Sequence, residues 1–184
     1  GIVNEDATLT VADGASANSI TTAAASHDSS PYDISDQELL PAGLAFNNDG
    51  TKMFHGGNNN DDIHEYTLST AWDVSTASYV DAFSIASQDN EPFGLTFNND
   101  GTKMFVAGAG TSDSIHEYTL STAYDVSTAS YVDALDVGDE DSRPCGIRFN
   151  TDGTKLFVTG FNSNYINEYA LSTAYDISSA SYSG

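Results

Sequence analysis

Positive charge is nearly absent from this sequence. Lysine and arginine together number 5 against 27 aspartate and glutamate residues, and the formal net charge is −22. A surface of one sign repels phosphates, so nucleic acid and anionic membranes are excluded as partners. It also repels itself, and salt relieves that: the Debye length falls from roughly 8 Å at physiological ionic strength to about 3 Å at 1 M. A salty or calcium-containing medium suits such a chain. Cysteine occurs once, as Cys145, which rules out an intrachain disulfide and a small stapled scaffold. No apolar run approaches the roughly 20 residues of a membrane helix, and membrane insertion is not expected. The sequence opens on Gly1 without an initiating Met or a signal-peptide pattern, and reads as a mature or excised segment. Helical periodicity is missing as well, since no window of about twelve residues puts apolar positions on one stripe.

What is present is repetition. The run Pro41 to Phe54 (Pro-Ala-Gly-Leu-Ala-Phe-Asn-Asn-Asp-Gly-Thr-Lys-Met-Phe) returns as Pro92 to Phe105 and, slightly altered, as Pro144 to Phe157, at spacings of 51 and 52 residues. A period near fifty written in strand-forming residues indicates a stack or ring of small sheets. Four strand-like segments recur; in the first copy they are Gly43–Phe46, Lys52–His55, Ile63–Ser69 and Ser78–Ile85. Asn47-Asn48-Asp49-Gly50 and its copies join the first two, and Asn, Asp and Gly there tolerate the positive φ of a hairpin turn. A turn explains these Asp residues better than a metal does. Cys145 stands at the position of Ala42 and Phe93, so a buried thiol is expected.

The chain ends are out of phase with the repeat. Tyr32 to Pro41 aligns without gaps on Phe83 to Pro92, so residues ~28–35 match a fourth strand with no first three before it. The third copy stops at Ser181-Tyr182-Ser183-Gly184, where its own fourth strand should begin. Twelve strands result, in three four-stranded sheets, the last one split between the termini. The Pro-x-Gly…Asn-x-Asp-Gly pattern resembles β-propeller blade repeats of secreted and surface bacterial proteins, most closely those of the Tyr-Val-Thr-Asn type. That resemblance implies an all-β, propeller-type fold over residues 28–184. Propellers normally carry four to eight blades, so three leave a ring incomplete; two chains would supply six, and a longer chain is the alternative. Residues 1–27 fall outside the repeat and read as an N-terminal arm or linker. Their Val-Asn-Glu-Asp-Ala-Thr-Leu-Thr-Val run resembles the start of cadherin-like or immunoglobulin-like modules in large bacterial adhesins.

In such a propeller the loops entering each first strand and the loops between second and third strands share one face. That face would carry Asn58, Asn60, Asp61, Asp62, Asp89, Glu91, Asp113, Asp139 and Asp141. Asn58, Asn60, Asp62, Asp89, Glu91, Asp113, Asp139 and Asp141 are the candidate ligand-binding residues. Ca²⁺ takes six to eight oxygen ligands, and Asp61, Asp62, Asp139 and Asp141 are its candidate ligands; a merely solvated acidic face is the competing and simpler reading. His64 and His116 occupy equivalent positions and read as satisfied strand histidines rather than a metal pair. Glu65, Glu117 and Glu168 recur beside them, either to hydrogen-bond neighbouring sheets or to line a polar channel, the first being favoured. Trp72, Tyr124 and Tyr175 recur as blade packing, with sugar stacking as the alternative. No nucleophile elbow or phosphate loop is present, and no catalytic residue is assigned. The expected function is a non-enzymatic, extracellular binding or adhesion module of a bacterial surface protein, with itself and glycans as partners. A self-assembling structural subunit joined by the arm and strand exchange is the alternative, and a propeller lyase or hydrolase the third reading.

Overall fold

The computed structural model describes residues 31–184, which form twelve strands in three antiparallel sheets. The first sheet contains β1 (Pro41–Phe46), β2 (Lys52–Gly57), β3 (Asp62–Leu68) and β4 (Ala77–Ser84). The second contains β5 (Pro92–Phe97), β6 (Lys103–Gly108), β7 (Ser114–Leu120) and β8 (Ala129–Asp136). The third contains β9 (Pro144–Phe149), β10 (Lys155–Gly160), β11 (Asn167–Leu171) and β12 (Ala180–Tyr182). Strands lie in chain order within each sheet, so each is a meander of the kind that forms a propeller blade. Residues 1–30, and with them the arm and the first part of the expected strand at ~28–35, lie outside the described residues.

The turns are self-contained. Asn47 Oδ1 accepts from Lys52 N at 2.9 Å, while Asp49 Oδ1 accepts from both the amide and the hydroxyl of Thr51 at 3.0 and 2.6 Å. Gly50 takes φ +72° and carries the Trp72 ring where a Cβ would stand, as Gly101 carries Tyr124 and Gly153 carries Tyr175. This is why the hairpin ends in glycine in every copy. Trp72, Tyr124 and Tyr175 themselves adopt φ of 65°, 56° and 54°, each followed by a short 3₁₀ turn capped by the next aspartate.

β5 lies beside both β1 and β9, which makes these first strands the inner ones of the blades. They approach closely: a Cβ on Gly94 would lie 2.7 Å from the Cys145 carbonyl oxygen. Cys145 itself is half-buried. Between sheets the alternation of strand residues builds two cores. Phe54, Ile63 and Ile85 meet Leu95, Met104, Val106 and Tyr118, and one sheet further on Phe105 and Ile115 meet Ile147, Leu156, Val158 and Tyr169.

A polar latch joins successive sheets beside each core. Lys52 Nζ donates to Glu65 Oε1 at 2.6 Å and to the Tyr124 carbonyl of the second sheet at 2.5 Å. Glu65 Oε2 accepts from Val126 N of that sheet at 3.0 Å. Lys103 and Glu117 repeat this with Tyr175 O and Ile177 N of the third sheet, at 2.6 and 3.1 Å. Glu65 and Glu117 therefore bond neighbouring sheets, the favoured of the two expectations, because a buried carboxylate needs both of its oxygens satisfied.

The third sheet is built from β9 to β12 alone, and its fourth strand is the shortest of the three. β12 has three residues where β4 and β8 have eight, and covers only Tyr169–Leu171 of its partner β11. At the other end, Tyr32 packs edge-on against Tyr66 at 5.6 Å and 77°, as Phe83 packs against Tyr118 at 5.4 Å and 77°. Tyr32 thus sits on the first sheet in the place that the end of a preceding fourth strand takes on the second.

Candidate functional site

Antiparallel alternation puts the entering loops and the β2–β3 type loops at one end of the sheets, and the Asp-Gly hairpins and aromatic turns at the other. The first end holds the acidic residues. Asp89 is fully buried, and its carboxylate accepts from Glu91 N at 2.8 Å and from Gly110 N, Thr111 N and Ser112 N at 3.0 Å. Burial alone would push this carboxyl up, but those donors outweigh it and hold it below the ordinary 3.8. Asp141 does the same one sheet later, accepting from Arg143 N at 2.8 Å and Ser163 N at 2.7 Å. Glu38, at the equivalent position in the first copy, accepts from Leu40 N and Asn59 N at 2.7 and 3.2 Å. These carboxylates fasten one loop to the next, and their lone pairs face their own backbone.

The other candidates are dispersed. Glu91 pairs with Arg143 at 2.9 Å, and Asn60 Nδ2 donates to Gln37 O at 2.8 Å. Asn58 uses its amide on Leu40 O, and its side-chain oxygen is buried without a partner among the described residues. Asp61 and Asp113 take φ of 58° and 47°, and their carbonyls accept from Ile85 N and Val137 N. Asp61 lies among carboxylates: burial first, then the charges of Asp62, Asp89, Glu38 and Glu91, push it up. Asp139 is exposed on the loop leading into the third sheet. Of the four residues named for Ca²⁺, Asp61 and Asp62 therefore lie beside the first entering loops, while Asp139 and Asp141 belong to the third. Among the described residues no group of three His, Cys, Asp or Glu side chains is arranged to hold a metal.

Of the two recurring histidines, His116 Nε2 pairs with Ser112 Oγ at 2.9 Å, while His64 differs from expectation. The His55 and His64 rings lie 4.9 Å apart, tilted by 33°, across the β2–β3 pair, and His55 Nε2 shares a hydrogen with Tyr66 Oη at 3.0 Å. His64 is buried with neither ring nitrogen partnered among the described residues, so it is not a satisfied strand histidine. Burial lowers both imidazoles, and the proximity of His55 lowers His64 further.

The opposite end holds a cavity of about 570 Å³, which sequence reasoning missed. Its wall includes Thr96, Asn98, Trp72, Tyr124, Tyr175 and Arg148. Tyr175 Oη donates to Thr151 O at 3.1 Å, and an asparagine ladder crosses the rim: Asn48 Nδ2 to Asn99 O at 2.6 Å, then Asn99 Nδ2 to Thr151 O at 2.7 Å. Arg148 is exposed to this space, makes no ion pair among the described residues, and is the only charged side chain on the wall. The signal was in the alignment: Ala45, Thr96 and Arg148 share one repeat position, and only the third is charged. Trp72, Tyr124 and Tyr175 thus pack on the turns and also face a cavity.

No protein-family model matches the chain, and no curated protein matches it. Solved structures do. The chain is similar to a candidate 6-phosphogluconolactonase from Bacteroides uniformis, at 14% identity and a TM-score of 0.56, over 78% of this chain and 39% of that one. It is similar to the periplasmic gluconolactonase of Pseudomonas aeruginosa, at 15% identity and 0.56, over 78% and 38%. A protein from Lactobacillus plantarum gives 18% identity and 0.58, over 78% and 40%. The chain spans about two-fifths of the length of these structures. The likeness is one of fold, and it confirms propeller-type blades. It also overturns the expectation of a non-enzymatic adhesion module. The same blades build proteins named as lactonases, and the repeat spells strands and turns rather than a ligand, so it gave no ground for excluding catalysis.

Proposed function

We propose that this chain supplies the ligand-binding cavity of a propeller hydrolase that opens a small polyhydroxylated cyclic ester, a sugar lactone. The observation that carries this reading is the lone Arg148 guanidinium in an otherwise neutral cavity of about 570 Å³. In a chain of net charge −22, one positive group facing a polar cavity selects for a ligand that is anionic or becomes so. Asparagine amides suit hydroxyl groups, and the faces of Trp72 and the tyrosines suit the apolar face of a sugar ring. The likeness to proteins named as lactonases agrees with this chemistry.

In the reaction, water adds to the lactone carbonyl, the ring C–O bond breaks, and the ring oxygen takes a proton to give a hydroxy acid. Arg148 stabilises the negative oxygen that develops on the carbonyl and then the carboxylate of the product. The cavity wall carries no carboxylate or imidazole. Proton transfer therefore falls to water, to the Tyr124 or Tyr175 hydroxyl, or to a group outside the cavity wall. The test is acid release from gluconolactone, corrected for spontaneous opening, together with calorimetric binding of gluconate. Hydrolysis above the buffer rate, falling at least about tenfold in Arg148→Ala, is expected. No hydrolysis above buffer together with no gluconate binding would sink the reading.

A further inference from the structure

The latch between sheets occurs twice inside the chain, and its two halves recur unfilled at opposite ends. On the third sheet Lys155 Nζ donates to Glu168 Oε1 at 2.8 Å, as Lys52 and Lys103 do to Glu65 and Glu117. Here, however, no following sheet supplies the peptide groups, and the Glu168 side chain is 32% exposed where Glu65 and Glu117 are 2% and 3%. On the first sheet the complementary groups are Trp72 O and Val74 N, at the positions of Tyr124 O and Val126 N. Neither makes a hydrogen bond among the described residues.

The apolar residues tell the same story. Ile63 and Ile115 are both fully buried by the next sheet, whereas Ile166 at the same repeat position is 69% exposed. Leu95 and Ile147 are 8% and 9% exposed under the preceding sheet, whereas their equivalent Leu44 is 63% exposed. Leu44 borders an apolar cavity of about 430 Å³ with Tyr32, Ile34, Met53, His55 and Val74.

We propose that the outer face of the third sheet docks on the outer face of the first sheet of a second copy of this chain, and that two copies close a six-blade ring. Glu168 of each copy accepts from the partner's Val74 amide, Lys155 donates to the partner's Trp72 carbonyl, and Ile166 covers the partner's Leu44. Such a contact joins two different faces, so it closes only when the rotation per sheet allows it, and six blades lie within the range that propellers use. The proposal stands apart from the hydrolase reading, because it rests on the sheet faces and not on the cavity.

The test is the mass of the native full chain by analytical ultracentrifugation, across a concentration series. A particle of twice 19.4 kDa is expected. Val74→Pro removes the amide hydrogen at the first position of a 3₁₀ turn, after an Asp73 already in the extended region, so proline fits there. Val74→Pro and Glu168→Ala should each raise the dissociation constant at least about tenfold. Far-ultraviolet circular dichroism should remain unchanged in both. A single-chain particle at tens of micromolar overturns the proposal, as would be seen if residues 1–30 or further blades cover these faces. Open-ended larger particles overturn the closed ring, and a dimer indifferent to both variants overturns this interface. Gluconolactone activity enters neither readout.

Discussion

Several acidic side chains are engaged with their own backbone rather than with a ligand. Asp89 shows this most fully, and Asp89→Asn is expected to cost about 1–3 kcal/mol in urea unfolding, because its four backbone donors lose a charged acceptor. Its lowered carboxyl contributes stability that is complete above 3.8 and is lost as pH falls toward the lower folded value. The histidines act at higher pH with the same sign. His55, His64 and His116 are all lowered by burial, so the fold is favoured above 6.5 and weakened as pH drops below it. His64→Leu should leave stability at pH 7 equal or higher, and should flatten the decline between pH 7 and 5 measured by thermal melts. The sequence could not separate these roles. An acid three residues before Pro41, Pro92 or Pro144 reads equally as a cation ligand or a loop fastener, and only its donors decide. The imidazole at position 64 reads as ordinary until His55 is found across the strand pair. Arg148, by contrast, is legible as the one charged residue at its repeat position, where Ala45 and Thr96 stand in the other copies.

At the level of strands and turns, far more was legible. The Asn-x-Asp-Gly turns, the four strands per copy and the inter-sheet glutamates all follow from local chemistry repeated three times. What the repeat does not spell is the left-handed backbone at Trp72, Tyr124 and Tyr175, a conformation imposed by the ring lying over the glycine turn. Gly101→Ala should therefore destabilise by more than 1 kcal/mol, since a Cβ would stand 2.2 Å from the Tyr124 ring at φ +73°. The latches give a sharper contrast. Glu65→Ala leaves Val126 N and Lys52 without their buried acceptor, and a loss of about 2–4 kcal/mol is expected by chemical denaturation. Glu168→Ala removes a chemically identical side chain from an open edge, and should leave the melting temperature of the dissociated chain unchanged. Equal effects at the two positions would show that the latch is not what joins the sheets.

For the molecule as a whole, charge is the property most easily manipulated. A net charge of −22 on 184 residues implies self-repulsion, so raising sodium chloride from 0.1 to about 1 M should raise the melting temperature. A flat response would show that the carboxylates are already neutralised by their local donors. The three lysines add something of a different kind. Lys52, Lys103 and Lys155 are the only lysines in the sequence, and each one pairs with the recurring glutamate of its sheet. An amine-directed acylating reagent thus reports on sheet junctions among these side chains. It should label Lys155, at 47% exposure, well before Lys52 and Lys103 at 26%. Once another sheet covers the third, Lys155 should slow to the pace of its two counterparts, so the labelling rates alone would record whether the open edge is occupied.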